Sequence, residues 1–139
     1  MIPIYEPDLS SIERKYLLEA IDSGWISSQG SFIEEFERAF AQRFDMQYGV
    51  STSNCTTALH LSLVALGIGV GDEVICPDLT FIAPANMVAL TGAIPVLVDI
   101  EADTWNLSPE STRLAITERT KAIIVVHSYG HAASMEELQ

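Results

Sequence analysis

Basic side chains are scarce in this sequence. Seven Lys and Arg face nineteen Asp and Glu, for a formal net charge of −12, and Lys15 and Lys121 are the only lysines. Nucleic-acid binders draw their affinity from Lys and Arg that neutralise phosphates, and anionic membranes attract the same groups, so both classes of partner are excluded. A bound phosphate would have to be held by backbone dipoles or by cations supplied from elsewhere. Cysteine is also rare. Cys55 and Cys76 are too few for a disulfide framework in a chain of 139 residues. No Cys/His spacing suits zinc, and neither G-x-G-x-x-G nor G-x-x-x-x-G-K-[ST] occurs. The start, Met1 to Pro7, has no basic and apolar regions of the signal-peptide kind, and apolar runs such as Ala122 to Val126 are far too short to span a bilayer. A reducing cytoplasm is the expected location.

Apolar material is plentiful: 48% of residues are hydrophobic and the mean hydropathy is +0.25, ample for a packed core. Ser10 with Glu13 forms a capping-box pattern ahead of Ile12, Tyr16, Leu17, Ala20 and Ile21 at helical spacing, and Gly24 is a plausible stop. Ser31 with Glu34 repeats the pattern before an apolar stripe of Ile33, Phe36, Phe40 and Phe44. The period then changes. Strands are predicted at Tyr48–Ser51, Glu73–Cys76, Pro95–Asp99 and Lys121–His127, and helices at Thr56–Leu66, Ile82–Leu90 and from Ser108-Pro109 onward. Ser134 with Glu137 encodes a third capping box.

Alternating strands and helices imply an α/β fold with a mostly parallel sheet, flanking helices and right-handed crossovers. Leading helices over 1–46 and a βαβ core over 47–139 are expected to form one unit. The pattern reads as the front portion of a larger domain.

The most informative stretch is Val50 to His60. A β-prone run ends in small polar residues, Ser51-Thr52-Ser53-Asn54-Cys55-Thr56, that open directly into a helix. Free amides and the positive end of a helix dipole then converge, which makes a seat for phosphate.

Together with other motifs, this stretch resembles the DegT/StrS-type nucleotide-sugar aminotransferases, pyridoxal-phosphate (PLP) enzymes of the aspartate-aminotransferase fold, fold type I. The similarity runs through Ile2-Pro3-Ile4-Tyr5-Glu6-Pro7, Ser23 to Gly30, Ser53 to Leu61, Gly71 to Ile75, Leu79 to Asn86, Pro95 to Asp99 and His127 to His131, in the family's order and spacing. Within the family the chain is most similar to enzymes of the perosamine-synthase kind, which aminate C4 of nucleotide-linked 4-keto-6-deoxy sugars. The resemblance implies PLP as cofactor, glutamate as amino donor and a homodimer. It places the PLP phosphate at Cys55 and Thr56, beside Asn54, and stacks Phe81 on the pyridine ring. Where this chain has Cys55 the family usually has Gly, a change that keeps amide donation if the local φ is negative. Trp25 and Ser27 fall in a loop that by similarity lines the sugar-nucleotide site, although for Trp25 itself loop packing or a subunit contact is favoured over a direct sugar contact.

The family's Schiff-base lysine and the carboxylate that pairs with the pyridinium nitrogen follow the His127 to His131 motif, so both are expected beyond Gln139. No catalytic residue is assigned within the chain, Lys15 and Lys121 included. His60, His127 and His131 are read as structural. Two other readings stay open: a catalytically inactive remnant that partners an intact paralogue, and part of a PLP-dependent sugar dehydratase.

Overall fold

A computed structural model describes residues 6–139. The start of the first motif, Ile2 to Tyr5, lies outside the described residues. The chain divides into two compact units, Met1–Ser51 and Thr52–Gln139. Among the described residues, no helix is long and apolar enough to cross a membrane.

The first unit carries helices α1 (Ser11–Ser23) and α2 (Ser31–Arg43). The Ser10–Glu13 capping box forms as the sequence predicts, and Gly24 closes α1 at φ +75°. The second predicted box does not form. Ser31 is already the first helical residue, and Gly30 takes the capping position at φ +140° without any side-chain cap. Phe36, Phe40 and Phe44 do share one stripe, with successive ring centroids 5.6 and 4.7 Å apart.

The strand predicted at Tyr48–Ser51 is absent. The Glu37 carboxylate instead accepts hydrogen bonds from the Ser51 amide (2.7 Å) and hydroxyl (2.8 Å). Gly49 runs so close to α2 that an added Cβ would lie 2.5 Å from the Glu37 carbonyl. The segment therefore spends its polar groups on α2 rather than on a sheet.

The second unit contains α3 (Cys55–Ala65), β1 (Glu73–Pro77), α4 (Ala83–Leu90), β2 (Ile94–Val98), α5 (Pro109–Ala115), β3 (Thr120–Ile123) and α6 (Met135–Leu138). The sheet is parallel with strand order β2-β1-β3. The step from β1 to β2 and the step from β2 back across β1 to β3 run in opposite directions. Right-handed crossovers must then place α4 and α5 on opposite faces. The core follows that rule. Leu63, Val74, Cys76 and Val88 pack on one face, and Ile75, Val98 and Leu107 on the other. Alternate residues of β1 thus point into different layers, which is why the whole strand is buried. Burial pushes the Cys76 thiol up to about 11, so it is an inert core group at neutral pH.

β3 is shorter than the predicted Lys121–His127 strand. Its pairing ends where the Ile124 amide donates to the Ile75 carbonyl (2.8 Å). In a parallel ladder the next rung would need an amide on Pro77, which has none. Val125 to His127 therefore continue without a partner on β1. At the chain's last helix the predicted Ser134–Glu137 box also fails: Ser134, at ψ 68°, makes no cap bond.

At the opposite end of the sheet, the buried Glu73 carboxylate accepts the Thr117 hydroxyl and pairs with the Arg119 guanidinium. The Thr117 hydrogen bond, assisted by the Arg119 charge, holds this carboxyl below its ordinary value of 4.5 despite its burial. A carboxyl depressed in the folded state contributes stability above its unfolded pKa and loses it as pH falls through the folded value. Wild-type stability to urea should therefore fall as the pH drops below about 4.5, and Glu73→Gln should be weaker at pH 7 with a shallower acid decline. Urea titrations from pH 7 to pH 3 test this. Parallel curves for the two proteins would reject the role given to Glu73.

Candidate functional site

A cleft of about 540 Å³ opens at the C-terminal ends of β1 and β3, where parallel sheets take their ligands. Three pieces of chain build it: the start of α3, the loop between β1 and α4, and the unpaired run after β3.

The α3 corner is set by Asn54. Its backbone is extended (φ −167°, ψ 168°), and its side-chain oxygen accepts the Thr57 amide at 3.0 Å. The Asn54 carbonyl accepts from the Ala58 amide and from the Thr57 and Thr52 hydroxyls. Asn54 and Thr57 are thus occupied in holding the corner. The amides of Cys55 and Thr56, the first two of the helix, meet no acceptor among the described residues. Cys55 is not among the positive-φ residues, so its Cβ leaves the amide free to donate.

Phe81 stands on the loop after β1 and is 80% exposed, a large flat apolar face left uncovered at the cleft wall. Asn54, Cys55, Thr56 and Phe81, separated by more than twenty positions in the sequence, thus border one cavity. Ile124 to Val126 complete the apolar side and His127 stands at its end. The arrangement suits a planar group that carries an anionic tail: amides and a helix dipole for the charge, a flat ring and aliphatic walls for the plane.

Sequence reasoning did not place the Ile124–His127 wall in the site. Only the strand order, with β3 next to β1, brings it there. The strand-end position of His127 was the available signal. The imidazole Nδ1 accepts the Ala133 amide at 3.1 Å, whereas His131 contributes its backbone carbonyl to the Asn106 amide group.

Trp25 and Ser27 lie in the first unit, in the loop between α1 and α2. Trp25 packs its Cβ against Gly30, where a Cβ would meet it at 3.1 Å, and remains 58% exposed. Lys15 forms a surface ion pair with Glu19 at 3.7 Å. Lys121 is exposed near the start of β3, at the end of the sheet away from the cleft.

The chain is similar to known proteins in sequence and in fold. The chain is 49% identical over 137 residues to GDP-perosamine synthase of Escherichia coli O157:H7, covering 99% of this chain and 38% of that protein. Its identity to the GDP-perosamine synthase of Caulobacter vibrioides is 51% over 137 residues, covering 99% and 37%. Spr1654 of Streptococcus pneumoniae, described as a sugar aminotransferase and solved in its PMP form, superposes with a TM-score of 0.88 at 36% identity, over 99% of this chain and 34% of that one. The chain therefore spans less than two fifths of the length of the curated relatives it matches. A fold shared at that TM-score, together with a match to the family over residues 7–139, leads to one assignment: the chain belongs to the DegT/DnrJ/EryC1/StrS aminotransferase family.

Proposed function

We propose that the complete gene product is a PLP-dependent aminotransferase that transfers an amino group from glutamate to C4 of a nucleotide-linked 4-keto-6-deoxy sugar. The observation that carries this reading is the cleft itself. It joins two helix-start amides that meet no acceptor among the described residues to an exposed aromatic face, in a chain about half identical to two GDP-perosamine synthases. The residues fit the coenzyme, which when bound supplies the electron sink for transamination.

The chain's own part is binding and orientation. The Cys55 and Thr56 amides hold the anionic tail, and Asn54 keeps them aimed by capping α3. Phe81 fixes the plane of the ring. Ile124 to Val126 exclude water from its edge. Trp25 and Ser27 are proposed to border the sugar nucleotide, and the working assembly is proposed to be a homodimer.

The purified complete gene product should show the absorption band of bound PLP. It should convert a GDP-linked 4-keto-6-deoxy sugar and glutamate to an amino sugar and 2-oxoglutarate, read by mass spectrometry. Absence of the band overturns the coenzyme assignment. A band without amination of any nucleotide-linked keto sugar overturns the substrate class.

A further inference from the structure

His127 joins the cleft in a defined state. Its Nδ1 accepts the Ala133 amide, and a ring nitrogen that accepts an N–H carries no proton. While that bond holds, the imidazole is neutral and Nε2–H is its single donor. Among the described residues nothing accepts from Nε2, and His127, an exposed residue, borders the cleft at the C-terminal end of the β3 run.

The segment that bears it is anchored at the very next residue. The Ser128 amide donates to the buried Asn106 Oδ1 at 2.9 Å, and the Ser128 hydroxyl donates to the Trp105 carbonyl at 2.9 Å. Asn106 Nδ2 reaches the His131 carbonyl on the far side at 3.2 Å. A donor held in one tautomer, on a segment tied down from two sides, is preorganised for an acceptor in the cleft. An aliphatic wall on one side and Phe81 on another leave few competing donors for the edge of a planar ligand.

We propose that His127 is a ligand-binding residue whose Nε2–H donates to an oxygen on the ring edge of the coenzyme seated in this cleft. The inference rests on the PLP reading above. It assigns to His127 a contact beyond its bond to Ala133, and it fixes the direction of that contact: the imidazole donates and does not accept.

The test uses the complete gene product, freed of coenzyme and titrated with PLP. His127→Phe keeps a flat ring and removes the donor; His127→Gln keeps an amide that can accept from Ala133 and still donate. The Phe variant should bind PLP about five- to tenfold more weakly, with a shifted absorption maximum for the bound coenzyme. The Gln variant should recover most of the affinity. Melting of the coenzyme-free proteins separates binding from folding. Unchanged PLP affinity and spectrum in His127→Phe would overturn the proposal. So would a rise confined to the KM of the keto sugar, which would place the acceptor on the substrate. Failure of the wild-type protein to bind PLP would instead overturn the coenzyme reading itself.

Discussion

Cys55→Pro is expected to lower PLP affinity by about 10- to 100-fold while leaving α3 intact. Cys55 is the first residue of that helix. Proline is favoured at this position because the missing N–H has no partner within the helix and the fixed φ is already helical. The residue before a proline must be extended, and Asn54 is, at φ −167° and ψ 168°. The substitution therefore deletes one hydrogen-bond donor with little disturbance to the fold. If that amide holds a phosphate, the loss is a charge-assisted hydrogen bond, worth about 1.5–3 kcal/mol, and tenfold corresponds to about 1.4 kcal/mol. Cys55→Ala separates the amide from the thiol: it keeps the N–H and should bind PLP within about threefold of wild type, since the thiol has no assigned contact. Fluorescence titration gives the affinities, and circular dichroism of the coenzyme-free proteins checks the helix. Equal affinities for the Pro and Ala variants would reject the Cys55 amide as a phosphate donor.

The corner that makes this experiment clean was legible in the sequence, because everything that shapes it is local. Asn54 caps α3 by accepting an amide three residues on, and Ser10 with Glu13 caps α1. The apolar runs of β1 and β2 and the Ser108 N-cap of α5 are likewise short-range signals. What escaped sequence reasoning depends on partners far along the chain. Tyr48–Ser51 has the composition of a strand, yet Glu37, fourteen positions before Ser51, takes its polar groups. The Val125–His127 run is as apolar as a strand, yet its neighbour β1 reaches Pro77 and cannot extend the ladder. That same failure of pairing leaves the run free to form a wall of the cleft. Ser31 shows a different limit: the capping pattern is present but one position late, because Gly30 can adopt a φ that an ordinary residue avoids. Phe81 was legible by resemblance, whereas the wall opposite needed the strand order.

The largest loss of stability is expected from Asn106→Ala, about 2–4 kcal/mol by urea denaturation. Asn106 is 1% exposed and its side chain bridges two points of a segment more than twenty residues away. It sits between residues held in an unfavourable conformation. Trp105 has φ +60°, and Tyr129, whose ring meets that of Trp105 edge-on at 5.7 Å, has φ +52°. Left-handed backbone at non-glycine residues costs about 1–2 kcal/mol each, so the turn and the segment persist because other contacts impose them. Removing the amide group leaves the Ser128 N–H and the His131 carbonyl without their buried partner, a loss that relaxation of the two strained positions offsets only in part. Asn106→Asp is the sharper variant. It retains an acceptor for Ser128 but sets a carboxylate against the His131 carbonyl, so it should destabilise despite nearly equal volume. The next residue along from Ser128 toward β3 is His127, and loosening the segment should weaken PLP binding under conditions where the variants remain folded. If Asn106→Ala loses under about 0.5 kcal/mol, the range of an ordinary surface change, the bridge does not hold the segment. The placement of His127 would then have to come from the sheet alone.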